Sequence, residues 1–198
     1  MAYRPTAFGL TGEVNRKIRD KYDSDLEQDA RLWIEAILER PLVAGADQSE
    51  ILGMDNFRLA LKDGVVLCEL MNAIQPNSIR KINTSSMPFK QMENINHFLK
   101  AIEDYGVKKL DIFQTNDLYE KNQNMTQVVN TLHALGRAAQ RNGFLGPSLG
   151  IKESSANPRN FTDEKLKAGN TIIGLQMGTN TGASQRGMNF GKARKIVD

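Results

Sequence analysis

The chain has 198 residues, 40% of them hydrophobic, which is enough to bury one substantial core and favours a single domain with extensions. Its apolar runs are too short to cross a bilayer, and its first residues lack the basic start and apolar stretch of a secretory signal, so we expect a cytoplasmic protein without membrane insertion. A single cysteine, Cys68, excludes an internal disulfide framework.

The formal net charge of +3 is distributed unevenly along the chain. Residues 1–23 carry +2, residues 24–137 carry −4, and residues 138–198 carry +5. Basic ends on an acidic body indicate a partner with an anionic surface, because such a field raises the local concentration of that partner. The alternative is that both ends are solvated tails that bind nothing.

Residues 24–142 are predicted to form a compact all-α domain, because apolar residues recur at helical spacing and no alternating strand pattern of useful length occurs. The first helix of this domain is predicted to begin at Ser24, with Glu27 completing a capping box, and to end before Pro41. The apolar residues that follow helical spacing in this stretch are Leu26, Ala30, Trp33, Ile34, Ile37 and Leu38.

The stretch DGVVLCELMNAIQ, residues 63–75, is predicted to form the central helix. Only three polar residues interrupt its apolar sequence, and they form one narrow stripe, so a helix here is buried on most sides. Asp63 can cap its start through the side-chain oxygen, and Pro76 cannot continue it. We therefore expect the other helices to pack around this one.

Further helices are predicted after the central one. A helix over about residues 90–105 ends at Gly106, a good left-handed terminator. Thr115 is predicted to cap a short turn, and Asn124 to cap a long helix that ends near Asn142. The inward-facing residues are predicted to be Met92, Ile95, Phe98, Leu99 and Ile102 in the first of these helices and Met125, Val128, Val129, Leu132 and Leu135 in the last.

Both ends of the chain differ in composition from this domain. Residues 1–23 are predicted to be a basic extension with at most one short helix. Residues 143–168 are predicted to be a linker, because two prolines and little periodicity precede a helical turn capped by Thr162. Residues 169–196 contain six glycines, which oppose regular structure, so we expect a largely irregular tail that is ordered by a partner.

The residues also carry a resemblance to a known family. Residues 24–142 resemble a single calponin-homology domain. The resemblance is carried by Trp33 on the first helix and by the stretches KDGVVLCELMNAI, FKQMENINHFLKAIEDYGV and FQTNDLYEKNQNMTQVVNTLHALGR. The segment TIIGLQMGTNTGASQRGM is similar to the calponin-type repeat. One such domain followed by one such repeat is the layout of the transgelin family, which includes the invertebrate muscle calponin-like proteins.

This resemblance implies a cytoskeletal protein that binds filamentous actin and stabilises, cross-links or regulates the filaments, with no catalytic activity and no cofactor. It also implies that the repeat and nearby basic residues make much of the contact. The expected actin-binding residues are Ile173, Gly174, Leu175, Gln176, Met177, Gly178, Arg186, Lys192, Arg194, Lys195, Lys165 and Lys167. Several cations must act together, because each exposed ion pair contributes only about 0.2–1 kcal/mol.

One segment departs from the family pattern. Transgelins of the vertebrate smooth-muscle type resemble each other in a dense basic run before the repeat, whereas residues 150–161 here contain only Lys152 and Arg159 as basic residues. More of the expected binding therefore falls on the repeat, and the chain is closer to the invertebrate muscle branch.

Ser184 matches the repeat position that the resemblance implies can be phosphorylated. A phosphate adds about −1.5 to −2 charges beside Arg186, which would oppose attraction to an acidic filament. The alternative is an unmodified serine.

Other functions are less well supported by the sequence. The glycines before Lys192 have the wrong spacing for a phosphate loop, and the acids of residues 23–29 lack the glycine and glutamate of a calcium loop. His97 and His133 fall on different helices without further ligands, so we expect no metal site. No nucleophile, base and orienting group can be assembled from the sequence, so we expect no enzyme. The main alternative is a signalling adaptor whose helical body binds other proteins; nucleic-acid binding is disfavoured because the basic tail lacks interleaved aromatic residues.

Overall fold

In the computed structural model, the described residues are 9–121, 123–154 and 156–170. They form α-helices joined by loops, with no strand within these ranges, so the all-α expectation is confirmed. The helices are α1 (Leu10–Asp20), α2 (Ser24–Leu38), α3 (Met54–Leu61), α4 (Val65–Ile74), α5 (Pro88–Tyr105), α6 (Thr115–Tyr119), α7 (Met125–Arg141) and α8 (Asp163–Asn170), with a short 3-10 turn at Lys109–Asp111. Among them, no helix combines the length and the hydropathy needed to cross a membrane.

The chain divides into two units, and the first, which we call the body, ends at Ser154. At its centre, α4 packs against α2, α3 and α5, as expected for a helix that is apolar on most sides. Its buried side chains are Leu67, Cys68, Leu70, Met71 and Ile74. The helix is less completely enclosed than its sequence indicated, because Ala73 is exposed.

The start of α4 depends on a carboxylate and a glycine. The Asp63 side chain accepts a hydrogen bond from the Val65 backbone N–H at 2.9 Å, which satisfies one free donor of the first turn. Gly64 lies between them with φ of 70°, and a Cβ there would be 2.8 Å from the Cβ of Asn94 on α5. Glycine is therefore needed both for the backbone conformation and for the close approach of α4 to α5.

Two helix ends agree with the sequence. Gly106 follows α5 with φ of 108°, the left-handed conformation expected of a terminator. The Asn124 side chain accepts a hydrogen bond from the Gln127 backbone N–H, so it caps α7 as expected. The five inward-facing residues predicted for α7 are all buried, and this helix packs against α2 and α6.

The predicted caps of two other helices, α2 and α6, were wrong. The N-cap of α2 is Asp23, whose carboxylate accepts from the backbone N–H groups of Asp25 and Leu26, and Glu27 is fully buried instead of closing a capping box with Ser24. At α6 the capping box is formed by Gln114 and Asp117, and Thr115 is the first residue of the helix. In both cases the true cap lies one residue earlier, and local spacing alone did not distinguish the neighbouring polar residues.

The segment after α7, which we expected to belong to a linker, folds back onto the helices. Leu149 is buried against Gly136 of α7, and the Trp33 indole N–H of α2 donates to the Pro147 carbonyl at 2.8 Å. The Gln140 amide donates to the Leu149 carbonyl at 2.9 Å. We call residues 144–154 the strap, because they cross α2 and α7 and belong to the body.

Candidate filament-binding surface

The structure describes two of the predicted actin-binding residues, Lys165 and Lys167. Both lie on α8, in the second unit, with exposed side chains. The other predicted residues lie outside the described part of the chain: Ile173, Gly174, Leu175, Gln176, Met177, Gly178, Arg186, Lys192, Arg194 and Lys195. Ser184, the predicted phosphorylation site, also lies outside it.

Helix α8 begins directly after Thr162, whose carbonyl accepts the backbone N–H of Leu166 at 3.0 Å. Two acids, Asp163 and Glu164, lie in its first turn, and Lys167 lies in its last turn. This order complements the helix dipole, which favours anions at the start and cations at the end. The lysines are therefore presented on a short helix whose own charges favour its formation.

The approach to α8 leaves its apolar groups uncovered. Every described side chain between residues 156 and 167 is exposed, including Phe161 at 54% and Leu166 at 52%. Neither Lys165 nor Lys167 forms an ion pair with a described residue. Both the cations and the apolar side chains of this segment are consequently available to a partner.

Charges inside the body have a different role. The Arg31 guanidinium is fully buried, pairs with Glu35 at 2.9 Å and donates to the backbone carbonyl groups of Asp47 and Glu50. Glu35 in turn accepts the backbone N–H of Leu42 at 3.0 Å. A buried pair of this kind requires such additional hydrogen bonds to offset its desolvation. These charges hold the loop between α2 and α3 in place and are not available for binding.

A group of surface cations was missed by the sequence analysis. Arg80, Lys81 and Lys100 line one cavity of the body, together with Ser78, His97 and Asp104, and we call this site the basic pocket. The charge sum had concealed it, because residues 24–137 are acidic in total. Helical spacing after Pro88 could have placed His97, Lys100 and Asp104 on one face, but their proximity to the preceding loop depends on tertiary structure.

The described residues offer no arrangement for metal or thiol chemistry. They contain no group of three or more His, Cys, Asp or Glu side chains able to hold a metal ion. Burial raises the pKa of the Cys68 thiol to about 12, helped by the carboxylates of Asp63 and Glu69, so the reactive thiolate is scarce near neutral pH. His133 lies on α7 with its Nε2 at 3.0 Å from the Leu26 carbonyl, whereas His97 lies on α5.

Comparisons with known families cover both parts of the chain. The calponin homology (CH) domain family matches residues 24–141, and the calponin family repeat matches residues 173–196. Myophilin from Echinococcus granulosus is 46% identical over 200 residues, covering 100% of both chains. Muscle-specific protein 20 from Drosophila melanogaster is 46% identical over 191 residues, covering 96% of this chain and 98% of that protein.

Two solved structures support the fold. The calponin-homology domain of Rng2 from Schizosaccharomyces pombe has a TM-score of 0.52 and 30% identity, covering 78% of this chain and 93% of that one. The calponin-homology domain of an IQGAP protein from the same organism has a TM-score of 0.53 and 31% identity, covering 80% and 97%. The body is thus a calponin-homology domain. The chain as a whole belongs to the calponin/transgelin family, which confirms the resemblance found in its sequence and indicates an actin-binding cytoskeletal role.

Proposed function

We propose that this protein binds actin filaments mainly through its C-terminal repeat, and that it stabilises or cross-links them in the cytoplasm without catalysing a reaction. The observation that carries the proposal is the match of a calponin family repeat to residues 173–196, which follow the exposed lysines of α8 in the sequence. One relative is named as muscle-specific, which supports a muscle protein.

Charge supports the repeat over the body as the main contact. Residues 155–198 contain seven Lys or Arg against three Asp or Glu, whereas the body, residues 1–154, contains 19 against 20. An acidic filament attracts the first segment and has little net attraction for the second, and this attraction weakens as salt increases. Because exposed ion pairs contribute only about 0.2–1 kcal/mol each, apolar contacts from Leu175 and Met177 complete the proposed contact.

Neutralising the repeat tests this proposal. We expect the variant Arg186→Gln, Lys192→Gln, Arg194→Gln and Lys195→Gln to sediment with filaments at least about tenfold more weakly than the wild type at low salt, the combined effect of four small contacts.

A matched control removes the same charge from the body. The exposed residues Arg80, Lys81, Lys100 and Lys108 are replaced by Gln together, and filament binding should change by less than about twofold. Equal losses in the two variants would show that net charge, and not the repeat, determines binding. Loss in the control alone would place the contact on the body.

A further inference from the structure

We propose that the basic pocket of the body binds a ligand that carries two or more phosphate groups, either a soluble organic phosphate or a lipid headgroup. The pocket lies between the loop after α4 and the outer face of α5, and its cavity has a volume of about 390 Å³. Pockets for small ligands usually enclose about 300–1,000 Å³. The cavity is therefore large enough for a compact polyphosphate.

The loop that carries Arg80 and Lys81 is fixed at its start by Asn72 of α4. The Asn72 amide donates to the Ile79 carbonyl at 2.9 Å and accepts the Ile79 backbone N–H at 2.9 Å. The Ile79 side chain is buried in the core. This paired contact immediately precedes the two cations and orients the backbone from which they project.

The same loop is fixed at its end by Asn94, a fully buried residue of α5. The Asn94 amide oxygen accepts the backbone N–H of Asn83 at 2.9 Å, and its nitrogen donates to the carbonyl groups of Asn83 and Asp63. The Asn83 side chain also donates to Glu93 at 3.0 Å. With both ends held, the cations lose little backbone entropy when a ligand binds, which favours affinity.

The electrostatics of the pocket favour an anion. The side chains of Arg80, Lys81 and Lys100 are exposed and form no ion pair with a described carboxylate. Elsewhere on the body Lys90, Lys109 and Arg141 are each paired with a glutamate. Asp104 is the one carboxylate of the lining, so three cations face a single acid.

The uncharged polar groups of the lining limit what else can bind. The Ser78 hydroxyl already donates to the Gln75 carbonyl at 2.7 Å, so it adds no donor for a ligand. The Nδ1 atom of His97 is buried without a hydrogen-bond partner among the described residues, so this nitrogen is not open to a ligand. Recognition therefore depends on the cations, and a ligand of high negative charge fits best.

Phosphate groups match these cations better than a protein surface does. An Arg guanidinium can form two parallel hydrogen bonds to a phosphate, and each Lys supplies a compact positive charge. The three cations line a cavity. A small polyanion can enter it, whereas the carboxylates on the flat surface of a protein partner would reach only its rim. Two phosphate groups bring enough charge to engage all three cations.

The test measures binding of inorganic pyrophosphate to the full chain by calorimetry, with backbone amide shifts followed by NMR. We expect the largest shifts at residues 80, 81, 97 and 100, and an affinity about tenfold lower for Arg80→Gln with Lys81→Gln. The matched control, Lys165→Gln with Lys167→Gln, removes equal charge from α8 and should change affinity by less than about twofold. Equal losses in both variants, or no shifts at the pocket, would overturn the proposal.

A second variant is designed to gain binding, a result that misfolding cannot produce. Asp104→Asn removes the carboxylate of the lining and should tighten pyrophosphate binding about twofold to fivefold. Unchanged or weaker binding would count against the pocket. Filament binding that falls in the Arg80→Gln, Lys81→Gln variant while pyrophosphate binding stays the same would reassign the pocket to actin.

Vesicles distinguish the two sources of phosphate. Pocket-dependent binding to phosphatidylcholine vesicles containing phosphatidylinositol bisphosphate, but not to phosphatidylserine vesicles of equal surface charge, would identify a lipid headgroup. Pocket-dependent pyrophosphate binding without this preference would identify a soluble phosphate. Binding to both vesicles that is insensitive to the pocket variants, together with no pyrophosphate binding, would overturn the proposal.

Discussion

At the scale of single residues, a buried carboxyl group links the residues before α2 to the loop before α3. Glu27 is fully buried and accepts the Tyr22 hydroxyl at 2.6 Å and the Gly53 backbone N–H at 2.9 Å. The sequence predicted that Glu27 completes a capping box with Ser24, because one of the partners that decide its environment, Gly53, lies 26 residues further along the chain. Charged residues are almost never buried without partners, and these two partners explain the exception.

Tyr22→Phe should destabilise the protein by about 1–3 kcal/mol, since it removes the donor to one buried oxygen of Glu27. Urea unfolding measures the change. Tyr105→Phe is the control, because that half-buried tyrosine has no side-chain hydrogen bond among the described residues, and it should cost less than about 0.5 kcal/mol. Equal stability of Tyr22→Phe and wild type would show that the bond contributes nothing.

The environment of Tyr22 also leads us to expect that the stability of the fold depends on pH. Burial, and then the bond to Glu27, raise the pKa of Tyr22 above its ordinary value of 10.0. A raised pKa in the folded state contributes stability that is complete below pH 10 and is lost as the pH rises further, because the unfolded chain releases the proton first. Wild type should therefore lose more stability between neutral pH and pH values above 10 than Tyr22→Phe does. Parallel losses would contradict this assignment.

Ser184 belongs to the same scale, although it lies outside the described residues. Ser184→Glu places a negative charge beside Arg186 and should weaken filament binding about twofold to fivefold at low salt, with a smaller effect at high salt. Ser154→Glu, at an exposed position at the end of the body, is the control for added charge. Equal cosedimentation of both variants and wild type would contradict the hypothesis that phosphorylation of Ser184 regulates filament binding.

At the scale of elements, the helices were predicted well and the strap was not. Periodicity located α2, α4, α5 and α7, because each buries one long apolar face. The strap has no period, and its glycines, serines and single proline, Pro147, are typical of a linker. Its order arises from tertiary contacts, above all Leu149 against Gly136 and the Trp33 bond to Pro147, which no local pattern reveals.

Gly136→Ala tests the strap directly. A Cβ at this position would lie 2.6 Å from the Leu149 Cβ and 2.9 Å from its carbonyl oxygen, so the strap must shift. We expect a net loss of about 1–3 kcal/mol in thermal unfolding and faster proteolysis within residues 144–154. Helix propensity alone predicts the opposite, a gain of about 1 kcal/mol.

Asn130→Ala provides the control for helix propensity, because residue 130 lies on the exposed face of α7 and should become slightly more stable. If Gly136→Ala also stabilised the protein, the strap would contribute nothing to the body.

At the scale of the whole molecule, the sequence predicted the order of parts better than the distribution of binding groups. Two independent motifs indicated the family, and the contrast between an acidic body and a basic tail was visible in a charge count. The basic pocket was not visible, because Arg80 and Lys81 belong to a loop and meet Lys100 only after α5 packs against α4. Summed charge describes long-range attraction, whereas a pocket depends on which cations the fold brings together.

The structure also indicates where the chain should be cut to separate the two parts. A cut at residue 150 would remove Glu153, which pairs with Arg141 at 2.8 Å, whereas a cut after Ser154 keeps the whole strap with the body. Residues 1–154 are therefore the truncation to compare with the full chain.

The most direct measurement is cosedimentation of the full chain and of residues 1–154 with filamentous actin, each at low and at physiological salt. We expect the full chain to bind, more weakly as salt increases, and the truncated chain to lose most of its binding, because the repeat and the lysines of α8 are removed. Equal binding by a truncated chain that remains folded would contradict the repeat as the main contact and move the site to the body. Absence of binding by either chain would contradict the actin-binding function itself and favour an adaptor.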